Sequence, residues 1–118
     1  MQGYNTPSGF HRCDVMMFSD IYVTARNLDE AKRIARTVIH EKLGACANIF
    51  PITSIYRWRG NIEEDDEYAL LIKTKTALVD ELTSRVRALH SYETPCIVSI
   101  KIDAGDQSYL SWIDRETL

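Results

Sequence analysis

Residues Ala45–Lys75 read ACANIFPITSIYRWRGNIEEDDEYALLIKTK, and the reading of this stretch decides the fold. Isoleucine, threonine, valine-like and aromatic residues dominate it, the residues that fit a pleated surface. The only clear break is Arg59-Gly60-Asn61, so the stretch reads as one long β-hairpin. If Gly60-Asn61 forms the two-residue turn, Arg59 faces Ile62 and Arg57 faces Glu64 as an opposite-charge cross-strand pair. Pro51 lacks an N–H for a sheet ladder, so it belongs at an edge or a bulge. Each strand holds about 14 residues and, at about 3.3 Å per residue, spans about 45 Å, more than twice the usual strand.

On the N-terminal side, Asp20–Ala25 (DIYVTA) reads as a strand. Asn27 follows as an N-cap, with Glu30 reaching back in a variant capping box. Ala31, Ile34, Ala35, Val38 and Leu43 then lie near one helical stripe, Arg33, Arg36 and Lys42 point to solvent, and Gly44 stands where a helix C-cap is expected. On the C-terminal side, Thr76 can cap a second helix with Leu78, Leu82, Val86 and Leu89 as its buried stripe. HSYET (His90–Thr94) ends that helix and PCIVSIKID begins the next strand. Asp106 can cap a short terminal helix carrying Tyr109, Leu110, Trp112 and Ile113.

The two halves echo one another at a shift of 51 residues, with Asp29-Glu30 matching Asp80-Glu81 and Arg36 matching Arg87. Two βαβ-like halves make an α+β domain of order βαββαβ, with two helices on one face of a four-stranded antiparallel sheet. Residues 1–17 read as a flexible polar N-terminal extension and residues 18–118 as a single domain.

The chain has 118 residues, 45% apolar and 26% charged, with a formal net charge of −3. That suits one globular domain and gives nucleic acid no broad electrostatic foothold. No apolar run approaches the roughly 18 residues of a membrane span. The three cysteines, Cys13, Cys46 and Cys96, are odd in number and far apart, which points to a reducing, cytoplasmic setting.

The hairpin also argues for partners. Two helices of about four turns cannot cover strands of that length. The far end therefore projects as a two-stranded ribbon carrying Ile55, Tyr56, Trp58 and Ile62, and an isolated ribbon is marginal in water. Pairing each ribbon with a neighbouring sheet in a closed homo-oligomer is the economical solution.

Few residues point to chemistry. EEDDE (Glu63–Glu67) alternates its carboxylates between two faces and reads as a solvated ribbon rather than a hard-cation site. Cys46, at the head of a strand, reads as a small core residue. Lys73 is either a strand-end charge facing water or a partner for an anion in a subunit cleft. In HSYETPC (His90–Cys96), His90 at a helix end has a sufficient structural role through the helix dipole. Ligand binding by His90, Tyr92 and Glu93 ranks second, and acid–base catalysis third, because no nucleophile motif or phosphate-cradling loop accompanies them. No enzyme activity and no organic cofactor are expected.

From about Asp20 to Ile113 the chain resembles the CutA-type divalent-cation tolerance family. The resemblance rests on the hairpin EKLGACANIFPITSIYRWRGNIEEDDEYALLIKTK, on LHSYETPCIVSIKI, and on GDQSYLSWI with its Tyr-Leu-x-Trp pattern. It implies a ferredoxin-like fold and a homotrimer interlocked through the long hairpins, with Tyr56, Trp58, Ile62 and Trp112 as interface residues. It also implies binding of copper or other divalent cations in metal tolerance. His90 matches a histidine of the family's proposed copper site, whereas the first-strand cysteine position is Val23 here and a second histidine position is Leu89. Ser91 and Cys96 replace a proline and a glutamate of the family's loop, and Cys96 offers a soft ligand in the glutamate's place. The metal candidates are thus His90 and Cys96. The family also resembles the PII signalling proteins, which gives an alternative: a small-ligand trimer whose clefts hold an anion between Lys73, Tyr92 and Glu93.

Overall fold

A computed structural model describes residues 17–118. The expected N-terminal extension, residues 1–17, lies outside the described residues except for Met17, whose carbonyl accepts a hydrogen bond from the Thr76 N–H at 2.9 Å. The elements run β1 (Phe18–Ala25), α1 (Leu28–His40), β2 (Cys46–Trp58), β3 (Asn61–Lys75), a 3-10 turn (Thr76–Leu78), α2 (Val79–Leu89), β4 (Ile97–Ile102) and α3 (Gln107–Glu116). The four strands form one antiparallel sheet in the order β2-β3-β1-β4. This is the expected βαββαβ arrangement, with Pro51 on an edge strand as its missing N–H requires.

The core lies between one face of the sheet and the two long helices. Ile21, Val23 and Ala25 of β1 alternate toward it, as do Leu70 and Ile72 of β3. Ala31, Ile34, Ala35 and Val38 of α1 and Leu82 and Val86 of α2 close it from above. The stripe expected for α1 is the buried one, because side chains three and four apart share a helix face. Of the stripe expected for α2, Leu82 and Val86 are buried, Leu89 is partly buried, and Leu78 lies partly buried in the 3-10 turn before the helix.

Both helix ends were expected to close differently. Lys42, not Gly44, takes the left-handed position after α1, with φ 62°. The Leu43 N–H reaches the Val38 carbonyl and the Lys42 N–H reaches the Ile39 carbonyl, a Schellman closure in which Leu43 turns back into the core. Gly44 serves close packing instead, since a Cβ there would lie 2.6 Å from Ile72 Cγ2. Thr76 does not cap α2, which begins after Leu78 with no side-chain cap. The Thr76 hydroxyl pairs with Ser19 at 2.8 Å, tying the start of β1 to the end of β3. The caps at Asn27 and Asp106 form as expected.

The hairpin register is two residues from the expected one. The turn is Arg59-Gly60, so Trp58 pairs with Asn61, Arg57 with Ile62 and Tyr56 with Glu63. Both turn residues have positive φ, 50° and 83°, as a turn matched to strand twist demands. A left-handed arginine costs about 1–2 kcal/mol. Stacking of Arg59 on Trp58 (5.3 Å) and its ion pair with Glu93 (2.9 Å) favour the position.

Only Tyr68–Lys75 of β3 pair with β1. Residues 61–67 pair with β2 alone and project as a ribbon, which accounts for a long axis of 54 Å. Ile55 and Ile62 are 66% and 70% exposed on it. The face of the sheet away from α1 and α2 is also apolar: strand alternation puts Phe50, Tyr22, Val98 and Ile100 there, all partly or largely exposed. α3 crosses one end of that face, joined to β3 by Lys75–Asp114 at 3.1 Å, with Trp112 half-buried and stacked on Tyr109.

Candidate functional site

The loop His90–Cys96 runs from the end of α2 to the start of β4 and gathers groups from β1, α1, β3 and the hairpin turn. The His90 side chain is fully buried. Its Nε2 lies 2.7 Å from the Thr24 carbonyl oxygen, and its Nδ1 lies 3.0 Å from the Tyr92 backbone nitrogen. A carbonyl can only accept and a backbone N–H can only donate, so Nε2 carries the proton and the Nδ1 lone pair is occupied. The ring therefore donates at Nε2 and accepts at Nδ1, fixing the loop's first turn to the end of β1.

Tyr92 continues the turn, and its hydroxyl donates to Glu67 Oε2 at 2.5 Å. Burial, then the Glu67 carboxylate, push the Tyr92 phenol well above its ordinary value. Glu67 is buried, at 6% exposure, which corrects the expectation of a uniformly solvated EEDDE run. Glu64, Asp65 and Asp66 are exposed, whereas Glu67 lies where the ribbon leaves the sheet and is covered by the loop. Glu67 also forms part of the wall of an open groove of about 380 Å³ along Pro51–Thr53 and Asp66–Tyr68. Farther along the ribbon the Tyr56 hydroxyl donates to Asp65 at 2.5 Å. That bond and the neighbouring carboxylates push its phenol up to about 12.

Glu93 is exposed and reaches the hairpin tip through Arg59. Cys96 is an exposed free thiol. Desolvation of its sulfur and the charge of Glu67 push it up, and a hydrogen bond to Thr24 pulls it down. A raised thiol pKa means little thiolate at neutral pH without a bound cation. Lys73 is separate from this cluster. It pairs with Asp20 at 3.0 Å and with Asn48 at 3.3 Å, so its charge is already partnered within the chain. Cys46 is half-buried beside Asn48 rather than in the core.

One residue that organises the loop was read from the sequence only as a helix cap. Glu30 is 5% exposed. Its Oε1 accepts from the Arg26 N–H at 2.9 Å, one residue before the N-cap, and its Oε2 accepts from the Ser91 N–H at 2.8 Å. Burial raises its carboxyl, but hydrogen bonds from the Arg26 backbone and from the Ser91 side chain and backbone, together with nearby His90, hold the group below its ordinary 4.5. The capping-box spacing was visible in sequence, but the contact with Ser91, 61 residues away, needs the folded sheet.

The resemblance implies copper, and the residues at the implied ligand positions do not fit it as they stand. Val23 is fully buried in the apolar core, Leu89 is apolar, and both His90 nitrogens are engaged. Among the described residues, no three His, Cys, Asp or Glu side chains converge as a metal cluster. The Cys96 thiol lies within electrostatic reach of the Glu67 carboxylate, whose charge helps to push it up. Among the described residues, no helix is long and apolar enough to cross a membrane.

Comparison with known proteins agrees with this fold. The family described as CutA1 divalent ion tolerance protein matches residues 19–116. The divalent-cation tolerance protein CutA of Archaeoglobus fulgidus is 47% identical over 99 residues, covering 84% of this chain and 97% of that protein. Its solved structure, described as periplasmic, superposes with a TM-score of 0.84 at 46% identity, over 85% of this chain and 98% of that one. Protein CutA of Mus musculus is 44% identical over 100 residues, covering 84% of this chain but only 56% of its own length. The family and the Archaeoglobus fulgidus relative are named for divalent-cation tolerance. The chain belongs to the CutA1 divalent ion tolerance family.

Proposed function

We propose that the chain acts in divalent-cation tolerance as a homotrimer that binds copper or another divalent cation rather than catalysing a reaction. The cation reading is supported by membership in a family named for divalent-ion tolerance and by a loop that bears the exposed Cys96 thiol while its Tyr92 hydroxyl binds the buried Glu67 carboxylate. A thiol with a carboxylate suits borderline and soft cations better than Mg²⁺. Two donors leave the rest of a coordination shell to water or to a neighbouring copy. His90 supports the loop, and it can join a cation only if the Tyr92 N–H leaves Nδ1.

The exposed ribbon and the apolar sheet face support the oligomer, with Tyr56, Trp58, Ile62 and Trp112 among the residues that a neighbour would meet. Free thiols at Cys46 and Cys96 suit a reducing cytoplasm. The anion reading has less support, because Asp20 already neutralises Lys73.

Titration with Cu(I), Cu²⁺ and Zn²⁺ under reducing conditions tests the cation reading. Wild type is expected to bind, and Cys96→Ser to bind at least tenfold more weakly. Wild-type binding no greater than the buffer background, or unchanged affinity when Cys96 and His90 are both replaced, would show the reading to be wrong.

A further inference from the structure

We infer that Glu30 is the positioning residue of the His90–Glu93 loop: one buried carboxylate couples the entry of α1 to the backbone that presents Tyr92. This rests on the reading above that the loop carries the candidate cation site. In an ordinary capping box the glutamate serves its own helix only. Here the carboxylate is shared. Oε1 takes the Arg26 N–H at the end of β1, and Oε2 takes the Ser91 N–H at the end of α2. The same Oε2 lies 3.9 Å from Arg33 and from His90 Nδ1.

Arg33 in turn donates to the Leu89 carbonyl at 3.0 Å, the residue before the loop. Glu30 and Arg33 therefore hold the loop from both backbone polarities, an acceptor for Ser91 N–H and a donor for Leu89 C=O. With Ser91 fixed, the Tyr92 N–H meets His90 Nδ1 and the phenol reaches Glu67. A glutamine at position 30 has one acceptor oxygen and one donor NH₂. It can satisfy Arg26 or Ser91 but not both, because its NH₂ would face the other N–H. Buried backbone donors left without a partner are costly, so the loop end opens. Asn27 gives the matching control. Its side chain accepts from the Glu30 N–H at 2.8 Å and caps α1, a hydrogen bond that lies within the helix start and not in the loop.

Amide hydrogen exchange of Glu30→Gln, Glu30→Asp and Asn27→Ala at neutral pH tests the inference, alongside the Zn²⁺ titration of each. In Glu30→Gln the Ser91 and Tyr92 amides are expected to exchange at least tenfold faster than in wild type. In Asn27→Ala only the first turn of α1 should loosen. Glu30→Asp, one methylene shorter, should not restore the slow Ser91 exchange. If wild type binds Zn²⁺, Glu30→Gln should weaken it several-fold while Asn27→Ala leaves it unchanged. Slow Ser91 exchange in Glu30→Gln, or equal loosening of the loop in Asn27→Ala, overturns the inference. Absence of Zn²⁺ binding in wild type would count against the cation reading alone, since the exchange result judges Glu30 by itself. If Glu30→Gln does not fold, Glu30→Asp, which keeps the charge and the cap, decides by the same exchange readout.

Discussion

The two ends of the central hairpin belong to the same pair of strands and have opposite surroundings. At the sheet end, Leu70 and Ile72 of β3 are fully buried between β1 and the helices. At the ribbon end, Ile62 and Ile55 are mostly exposed and pair only with each other's strand. A strand's pattern shows that it pairs, but the elements placed over it determine what its side chains meet. On its helix-covered face the sheet end is completed within the chain, whereas the ribbon end presents apolar surface that a monomer has little reason to keep.

The largest effect that sharpens this contrast is truncation at the sheet end. Leu70→Ala is expected to lower stability by about 2–5 kcal/mol in urea titrations, through lost burial and a residual cavity. Oligomer mass should be unchanged wherever the protein remains folded. Gly44→Ala comes next. Its Cβ would meet Ile72 Cγ2 at 2.6 Å, an overpacking cost of about 1–3 kcal/mol seen as a lower urea midpoint. At the ribbon end, Ile55→Lys with Ile62→Lys should change the fold of one chain little, by about 0.5 kcal/mol or less. The proposed trimer should nevertheless dissociate at protein concentrations at least tenfold higher than wild type. Loss of secondary structure in that variant, with oligomer mass intact, would erase the distinction between the two ends.

The smallest effect concerns the link between the helices. Arg85 binds Glu41 through two hydrogen bonds of 2.8 Å, and they hold the Glu41 carboxyl below its ordinary 4.5. Because the folded value is the lower one, the stabilisation is present at neutral pH. It is lost as pH falls through the acid range below about 4.5. Glu41→Gln should therefore differ slightly from wild type at pH 7 and low salt, and converge with it at pH 3 or in high salt. Thermal melts across pH and ionic strength would show this.

The order of elements, the α1 stripe, the Leu82 and Val86 centre of the α2 stripe, the caps at Asn27 and Asp106 and the projecting ribbon were legible in the sequence. Each depends on a local period or a local hydrogen bond. What was not legible depends on contacts between distant segments. Gly44 looked like a C-cap because glycine often is one, yet the contact with Ile72 claims it for packing and Lys42 takes the left-handed turn. Thr76 looked like a cap, but Ser19 lies within reach only after β1 joins the sheet. Either Arg59-Gly60 or Gly60-Asn61 can form a two-residue turn, and Trp58 and Glu93 favour the first. In the candidate site, His90, Tyr92 and Glu93 stood out as a chemical cluster. Glu67 was hidden in a charge run, and Glu30 in a capping box.

The most direct test of the central claim is the mass of the wild-type protein by light scattering at micromolar concentration, with free cysteines kept reduced. Completion of the ribbon and the open sheet face by neighbouring copies predicts a single species of three times the 13.5 kDa chain mass. A particle of 13.5 kDa with the hairpin intact would contradict it.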